Sequence, residues 1–505
     1  PDITGAENHN ALIALATSEL TQGAIWAGRD DGRLHVTRNG GSDWKEVPLR
    51  GAPGDGYLAH IFPSQQVAGR AYVVIDNHRN GDMATYVWRV DDFGARSTRL
   101  PVKGVTGYAL ALMEDPVESK LLFLGTELGF FLSFDAGESW QRFTHGLPNS
   151  VSVMDLAFQR REDDLVLGTH GRGFFVIDDV GALRAMTRGL PTTPLSLIDT
   201  TPGTLVSIQQ PAGPRFGGNS AYMGENESPG GVLTFALNDP NLPHPDADAE
   251  RVRKASAPPP DPAKPAAKLG IEIRDRSGAL MRFVEIEPKQ GINRWVWDLA
   301  MTPPRSPAPP GLFDPAGPSV LPGSYVVKLR YGEARAEGSF EVRLDPRSKV
   351  SVEALAARQA ALVEIGKLQS SVVDLLDELK AAKALWALAK TQLEAEQAAL
   401  LRADPTLVLN EEHPLKRRLK TIADATKGID EAALTLWQNP QVVKGYTAPN
   451  AALDRISEAQ WMLGAAMDAP TPAARQYATR AVAYAQAKIE SARRVLAEQR
   501  AKVDG

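Results

Sequence analysis

"SFDAGESW", residues 133–140, is an eight-residue stretch that returns in looser form as "TRNGGSDW", residues 37–44. Two further segments, "VDDFGARS" from Val90 and "IDDVGALR" from Ile177, align with it so that the third residue is always Asn or Asp and the fifth is always Gly. The four copies begin 53, 43 and 44 residues apart. A repeat of this length is typical of one four-stranded blade of a β-propeller. The residues that define the four copies are Asn39, Gly41, Trp44, Asp92, Gly94, Asp135, Gly137, Trp140, Asp179 and Gly181.

The residue types in the repeated stretch have structural roles that explain them without any chemistry. Each copy follows two short apolar runs separated by a Gly-containing turn, as in "KLLFLGTELGFFLS" at residues 120–133, and this pattern predicts the strands of a meander. Within the stretch, we expect Asp or Asn to accept hydrogen bonds from nearby backbone N–H groups, Gly to adopt a positive φ, and Trp to pack between strands. We therefore interpret the stretch as a marker of each blade rather than as a catalytic element.

The stretch at residues 133–140 resembles the Asp-box of bacterial neuraminidase (BNR) repeats, S-x-D-x-G-x-T-W. The segments at residues 147–179, 291–299, 321–332 and 468–482 resemble large bacterial sortilin-like BNR-repeat proteins, which are often labelled glycosyl hydrolases. This resemblance implies a partial Asp-box β-propeller. Propellers of this kind serve sialidases, xyloglucan-cleaving enzymes and peptide receptors alike, so the resemblance does not decide the activity.

The number of repeats suggests an incomplete propeller. Four blades over residues 1–190 are fewer than the six to ten that the resemblance implies. We expect this chain to be the C-terminal part of a larger propeller, whose remaining blades come from an N-terminal fragment of a longer precursor or from a companion chain. A closed ring of four blades is the alternative.

The turns between the second and third strands of each blade hold the candidate binding residues. They emerge on the face opposite the boxes, where sialidase-type propellers place their ligand. Carboxylates, imidazoles and guanidinium groups in these turns would bind a sugar, and two suitably spaced carboxylates would hydrolyse a glycosidic bond. The alternative is the ordinary polarity of surface turns. The three arginines and the Tyr/Glu pair of a sialidase cannot be assigned. The candidate residues are Asp30, Asp31, Asp76, His78, Arg79, Asp82, Glu127, His170 and Arg172.

Composition excludes several classes of function. The net charge of −5 gives no reason to expect a nucleic-acid partner, and no apolar run is long enough to span a bilayer. The absence of cysteine excludes disulfides, thiolate metal sites and cysteine nucleophiles. No P-loop, nucleophile elbow or HExxH motif occurs, so neither a cofactor nor a metal is expected. The acidic run "DADAE", residues 246–250, lacks the Gly and the spacing of a calcium loop, and we interpret it as a solvated linker.

Residues 191–346 show a different pattern of alternating strands and turns, which predicts an immunoglobulin-like β-sandwich. A hairpin is predicted with its turn near Gly332. Trp295 and Trp297 fall on one face of their strand and Val296 on the other. The Pro-rich insertion at residues 239–268 is predicted to be a flexible surface loop.

Residues 347–505 are rich in Ala, Leu, Lys, Glu and Gln, and their apolar residues recur at helical spacing. The stripes predict an antiparallel bundle of three or four helices. Thr471 followed by Pro472 predicts a helix start, with a side-chain cap and then Pro at the first helical position.

Two functions from different classes fit these observations. The first is an extracytoplasmic bacterial recognition or scaffold protein, periplasmic, secreted or at the cell surface, whose completed propeller binds a glycan, a peptide or a partner subunit. The second is a glycosidase of sialidase-like or xyloglucanase-like type, with carboxylates shared with the missing blades. The absence of a recognisable catalytic set favours the first.

Overall fold

The computed structural model describes residues 10–189, 191–206, 229–256, 267–307, 316–438 and 451–504. The chain divides into two compact units. The first contains residues up to 201 together with 234–241 and 290–293, and the second contains the rest. The prediction of mainly β structure followed by a C-terminal helical region is confirmed. The predicted domain boundaries at residues 190 and 346 stay a prediction.

Four antiparallel meander sheets follow one another in the first unit, and the strand order within each follows the chain. The first sheet consists of β1 (Leu12–Thr17), β2 (Ile25–Arg29), β3 (Leu34–Thr37) and β4 (Lys45–Val47). The second consists of β5 (Tyr57–Pro63), β6 (Ala71–Asp76), β7 (Tyr86–Asp91) and β8 (Arg96–Arg99). The third consists of β9 (Ala109–Glu114), β10 (Leu122–Thr126), β11 (Gly129–Ser133) and β12 (Gln141–Phe143). The fourth has three strands, β13 (Val153–Gln159), β14 (Asp164–Thr169) and β15 (Phe174–Ile177), and helix α1 (Gly181–Met186) follows it.

Each pair of successive sheets encloses its own apolar core. Side chains alternate between the two faces of a strand, so one strand contributes to two cores. Phe131 of β11 belongs to the core shared with the second sheet, whereas its neighbours Phe130 and Leu132 belong to the core shared with the fourth. Apolar residues are therefore needed on both faces of each sheet wherever a neighbouring sheet covers it.

The first and third copies of the repeated stretch share one hydrogen-bonded geometry. The hydroxyl of Ser133 accepts from the backbone N–H of Gly137 at 2.8 Å, and Asp135 Oδ1 accepts from the N–H of Ser139 at 2.9 Å. In the first copy the N–H of Gly41 donates to the hydroxyl of Thr37 at 3.1 Å. Gly137 has a φ of 94°, a conformation that glycine adopts without strain.

The second and fourth copies do not adopt this geometry, because their first residues, Val90 and Ile177, have no hydroxyl to accept from the glycine N–H. In the second copy Asp92 is exposed and pairs with Arg96 at 2.8 Å. In the fourth, the buried Asp179 accepts from the N–H of Gly181 at 3.2 Å. Gly181 there begins helix α1 instead of closing a turn. Gly94, the fifth residue of the second copy, nevertheless has the expected positive φ, 83°.

Tryptophans bond successive sheets to each other. Trp140, after the third copy, donates from Nε1 to the carbonyl of Pro101 at 2.9 Å, which lies directly after the second sheet. Trp88 of the second sheet donates to the carbonyl of Arg50 at 3.2 Å, which lies after the first sheet. Trp44 occupies the position of Trp140 in the first sheet, and 45% of it is exposed.

The other strands in the described part of the chain form two sheets. The strands are β16 (Leu195–Thr201), β17 (Gly203–Leu205), β18 (Gly231–Leu237), β19 (Leu269–Arg274), β20 (Leu280–Ile286), β21 (Gly291–Trp297), β22 (Gly323–Tyr331) and β23 (Ala334–Leu344). The sheet orders are β16-β18-β21 and β17-β23-β22-β19-β20, with β17 parallel to β23.

Aromatic residues join these two sheets. Trp297 of β21 is fully buried and meets Tyr325 and Phe340 edge to face at 5.3 and 5.5 Å between ring centroids. Val296 faces the other way and is exposed, as the alternation predicts. The hairpin turn at Gly332, between β22 and β23, is confirmed. The immunoglobulin-like assignment stays a prediction.

The prediction of a linker throughout residues 239–268 is wrong for part of that range. Helix α2 (Ala247–Ser256) occupies it, and Asp246 caps the helix by accepting from the backbone N–H groups of Asp248 at 3.0 Å and Ala249 at 2.8 Å. The acidic run is therefore a helix start, in which Asp supplies the cap and the carboxylates favour the positive end of the helix dipole. Residues 257–266 of the predicted loop lie outside the described residues.

Four C-terminal helices share a single apolar core. They are α3 (Val352–Ala403), α4 (Pro414–Leu436), α5 (Ala452–Gly464) and α6 (Pro472–Asp504). The predicted start of α6 is confirmed, because the hydroxyl of Thr471 accepts from the N–H of Ala474 at 3.2 Å. Among the described residues, no helix is both long enough and apolar enough to cross a membrane.

Candidate functional site

The predicted binding residues lie at one end of the four sheets. Each is in, or next to, the turn between the second and third strands of its sheet, whereas the repeated stretches follow the third strands at the other end. The structure brings the candidates of the second and third sheets together. It leaves those of the first and fourth sheets in their own turns.

His78 is the centre of the group that comes together. Its Nδ1 lies 2.7 Å from the carboxylate of Asp76, which is 5% exposed at the end of β6. An ionised carboxylate only accepts, so Nδ1 carries the proton in this contact and Nε2 is the remaining functional atom of the ring. The imidazole stacks on Tyr108, with 4.4 Å between ring centroids and 15° between ring planes. These contacts fix both the tautomer and the orientation of the imidazole.

A second aromatic contact lies within the second sheet. The guanidinium carbon of Arg79 lies 4.5 Å from the centroid of the Tyr57 ring, a cation–π distance. Glu127 follows β10, and its backbone N–H donates to the carbonyl of Tyr108 at 3.1 Å. We call the set Tyr57, Asp76, His78, Arg79, Tyr108 and Glu127 the His78 cluster.

The two tyrosines were missed by reasoning from the turns alone. Both precede or begin the innermost strand of a sheet, Tyr57 in "GYLA" and Tyr108 in "GYAL". The repeated Gly-Tyr pair is the signal that would have identified them. The partner of Tyr108 could not be read from the sequence, because the contact with His78 depends on how the second and third sheets pack.

Charges around Tyr108 change its acidity. Burial raises the pKa of Tyr108, and the nearby carboxylates of Glu127 and Asp76 raise it further because they disfavour a phenolate. Asp82 stabilises the turn between β6 and β7. It accepts hydrogen bonds from Tyr86 at 2.7 Å and from Asn77 at 2.9 Å, and these bonds lower the pKa of its carboxyl. Asp82 is thus committed to holding the turn.

The other candidates do not join the His78 cluster through any contact among the described residues. Asp31 pairs with Arg29 at 2.9 Å within its own turn. Asp30 Oδ1 is buried and has no hydrogen-bond partner in the described part of the chain. His170 and Arg172 are exposed in the turn between β14 and β15.

Exposure differs sharply between equivalent positions of the inner and outer sheets. Phe174 of the fourth sheet is 79% exposed, whereas Phe130, at the same position of the third sheet, is fully buried. Val176 is 52% exposed and its equivalent Leu132 only 4%. Because this side of each strand faces the next sheet along the chain, the fourth sheet presents an apolar face that no described residue covers. We call Phe174 and Val176 the trailing face.

The opposite end of the array shows the same contrast. Leu15 of β1 is 63% exposed, whereas its equivalent Leu112 in β9 is fully buried against the second sheet. Trp44 is 45% exposed and its equivalent Trp140 only 8%. We call Leu15 and Trp44 the leading face. The array therefore has apolar residues on both outer faces, at the positions where inner sheets bury them.

One contact links the first and fourth sheets directly. Arg160, which follows β13, pairs with Glu19, which follows β1, at 2.6 Å, and both side chains are more than half exposed. An exposed pair of this kind contributes about 0–1 kcal/mol. It brings the turns that follow β1 and β13 together at one end of the array, whereas no described residue buries the two outer faces.

Comparisons with known proteins identify neither a family nor an activity. No protein-family model and no curated protein matches the chain. Among solved structures, "YCF48 from Cyanidioschyzon merolae" is similar over 34% of this chain and 53% of its own, with a TM-score of 0.26 and 13% identity. The Niastella koreensis GH74 enzyme is similar over 34% of this chain and 28% of its own, with a TM-score of 0.29 and 18% identity.

A third solved structure, "YCF48 bound to D1 peptide", is similar over 45% of this chain and 63% of its own, with a TM-score of 0.26 and 13% identity. In every case the match spans less than two thirds of the other protein. Scores and identities this low do not assign a fold or a function to this chain.

Proposed function

We propose that this chain is an extracytoplasmic bacterial recognition and assembly protein. Its four sheets are blades of an Asp-box β-propeller, and further sheets from a companion chain or an N-terminal fragment complete the propeller. The completed propeller binds a glycan, a peptide or a partner subunit on the side of the His78 cluster.

The observation that carries the proposal is the exposure of apolar residues on both outer faces. Full burial of a Phe, Leu or Val side chain contributes about 1.5–3 kcal/mol. Phe174 is 79% and Val176 52% exposed, so covering the trailing face alone would gain about 2–4 kcal/mol. Monomeric proteins rarely expose large contiguous apolar patches, and such patches mark interaction sites. A sheet of the same repeat fits because inner sheets already cover the equivalent residues Phe130 and Leu112.

The His78 cluster suits recognition better than glycoside hydrolysis. Hydrolysis needs two carboxylates on either side of one glycosidic bond, at separations of about 5–9.5 Å. The carboxylates of Asp31, Asp76 and Asp82 are already held by Arg29, His78 and Tyr86. One face of each cluster tyrosine is in use, that of Tyr57 by Arg79 and that of Tyr108 by His78. A ligand would therefore meet the second face of each ring and the imidazole edge of His78.

Two alternatives to this proposal, a glycosidase and a closed ring of four sheets, are each supported by one observation. A glycosidase would use Asp30, whose buried Oδ1 has no partner among the described residues, with a carboxylate from the missing sheets. A closed ring of four sheets is favoured by the Glu19–Arg160 pair. The ring would have to leave the leading and trailing faces in solvent.

The test is to purify the native protein under mild conditions and to identify every accompanying polypeptide by intact mass and peptide mapping. We expect a tightly bound polypeptide with further Asp-boxes. The chain has no cysteine, so Val176→Cys introduces a single thiol on the trailing face. It should react with maleimide in the chain alone and be protected in the native assembly.

The matched control is Val117→Cys, at a 64% exposed position in a turn, which should react in both samples. Recovery of the chain as a folded monomer from its native source, with Val176→Cys reactive throughout, would contradict the proposal. An accompanying polypeptide that places carboxylates opposite Asp30 would favour the glycosidase instead.

A further inference from the structure

The second and third sheets repeat a tyrosine and a carboxylate at equivalent positions. Tyr57 begins β5 and pairs in register with Asp76, the last residue of β6. Tyr108 directly precedes β9, and its carbonyl accepts from the backbone N–H of Glu127, which directly follows β10. The same offset of 51 residues separates Tyr57 from Tyr108 and Asp76 from Glu127. The two pairs are therefore repeats of one arrangement.

The turns that follow these pairs differ. In the second sheet, residues 77–85 separate β6 from β7 and supply a basic partner for each member of the pair. His78 Nδ1 lies 2.7 Å from the carboxylate of Asp76, and the guanidinium of Arg79 lies 4.5 Å from the centroid of Tyr57. In the third sheet, only residues 127 and 128 separate β10 from β11. This shorter turn contains no basic residue, so the third sheet has the tyrosine and the carboxylate without the cation.

The third-sheet pair is accessible and has unused binding capacity. Tyr108 and Glu127 are both partly exposed. His78 stacks on one face of Tyr108, and no aromatic ring or cation of the described residues lies on the second face. In the described part of the chain, the carboxylate of Glu127 has neither a hydrogen-bond donor nor an ion-pair partner.

These two groups select a positively charged ligand. The face of an aromatic ring attracts a cation, as the contact of Arg79 with Tyr57 already shows within this cluster. A ligand that covered Tyr108 would also remove water from Glu127. Loss of water around an unpaired carboxylate is strongly unfavourable, and a cation compensates for it whereas a neutral group does not.

We infer that the binding partner presents a lysine or arginine side chain to the third-sheet half of the His78 cluster. Its cation lies on the second face of Tyr108 and pairs with the carboxylate of Glu127, as Arg79 lies on Tyr57 in the second sheet. This inference rests on the proposed function, in which the propeller binds a partner on this side. Among a glycan, a peptide and a partner subunit, it selects a polypeptide with an exposed basic residue.

The test uses the isolated chain, because Tyr108 and Glu127 both belong to it. The probe is N-acetyl-lysine methylamide, and the matched neutral probe is N-acetyl-norleucine methylamide. Binding is followed by NMR of the chain with ¹³C-labelled tyrosine rings, and Tyr108→Phe assigns the Tyr108 signal. We expect the lysine probe to shift that signal saturably and to bind about tenfold more tightly than the norleucine probe. The affinity should fall as salt is added, because salt screens exposed charges.

Glu127→Gln tests the carboxylate and should reduce the affinity for the lysine probe to that for the norleucine probe. The matched control is Glu138→Gln, which makes the same change of charge at an exposed position at the opposite end of the third sheet. It should leave the preference for lysine unchanged. An equal loss in both variants would overturn the inference, because the preference would then reflect net charge alone.

The remaining outcomes separate this inference from the proposed function. Absence of a saturable shift with the lysine probe, or equal affinity for both probes, would overturn the inference. If a companion polypeptide is nevertheless recovered and protects Val176→Cys, the assembly stays intact. Tighter binding of methyl glucoside or methyl glucosaminide than of the lysine probe would also overturn the inference, in favour of a glycan. A lysine-selective site in a chain recovered only as a monomer would support the inference and contradict assembly.

Discussion

Trp140 and Trp44 occupy equivalent positions in the third and first sheets, so the stability that each contributes can be compared within one chain. The comparison tests whether the leading face, to which Trp44 belongs, is uncovered. Trp140 is 8% exposed, lies in the core between the second and third sheets, and donates a hydrogen bond to Pro101. Replacing a buried Trp by Ala costs about 3–5 kcal/mol, because the transfer energy is lost and a cavity is left. We expect Trp140→Ala to lower the free energy of unfolding by that amount.

Trp44→Ala should cost far less in the isolated chain. Trp44 is 45% exposed, so only about half of the roughly 1.5–3 kcal/mol for burying a large side chain is present, or about 1 kcal/mol. In the completed assembly, the same substitution should cost as much as Trp140→Ala, provided that a preceding sheet covers Trp44 and offers it a carbonyl, as Pro101 does for Trp140.

Trp140→Phe separates the hydrogen bond from the packing. The variant keeps most of the ring but leaves the Pro101 carbonyl unpaired, a loss of about 1–3 kcal/mol. Trp44→Phe should be nearly neutral in the isolated chain.

The assay is urea-induced unfolding followed by far-UV circular dichroism, with hydrogen exchange of β3 and β11 as local readouts of the first and third sheets. Equal costs for Trp44→Ala and Trp140→Ala in the isolated chain would refute the reasoning, because Trp44 would then already be packed.

Three further predictions concern charged groups. Burial raises the pKa of Glu114, which accepts from Ser64 and Tyr72 between sheets, above its unfolded value of about 4.3. The contribution of Glu114 to the free energy of unfolding is therefore fully present below that value, and it is lost as the pH rises through the pKa of the folded state. Glu114→Gln should flatten this loss in urea unfolding across pH. Arg184→Met leaves the buried carboxylate of Asp115 without its cation and should cost about 3–5 kcal/mol, whereas exposed Arg161→Met should cost under about 1 kcal/mol; equal costs would contradict a stabilising Arg184–Asp115 ion pair. Glu127→Gln should lower the pKa of Tyr108, read by ultraviolet difference titration against Tyr108→Phe, and an unchanged titration would contradict their coupling.

The strands were predictable from the sequence because their signals are local. Alternating apolar residues, Gly-containing turns and the third and fifth residues of the repeated stretch all act within a few residues. The helix start at Thr471 is local in the same way. The helix after Asp246 also had a local signal, a capping Asp followed by acidic residues, which the surrounding prolines and alanines concealed.

The His78 cluster was predictable only in part, because the contact that joins its two halves lies between different sheets. Four of its members, Asp76, His78, Arg79 and Glu127, are among the turn residues predicted from the sequence, and whether they bind a ligand stays a prediction. The stacking of His78 on Tyr108 requires the turn of the second sheet to meet the inner strand of the third, some thirty residues further along. No periodicity within one sheet determines such a contact.

The outer faces of the array can be interpreted only when the repeat in the sequence is compared with the exposure of each residue in the structure. The repeat identifies Phe174 as the equivalent of Phe130, and from the sequence alone both would be assigned to a core. Only the structure distinguishes the two, since a neighbouring sheet covers Phe130 and none of the described residues covers Phe174. Core-type residues at a position that no described residue covers favour the proposal that a further polypeptide covers them. For that reason the exposure of Phe174 supports assembly more strongly than its hydrophobicity alone would.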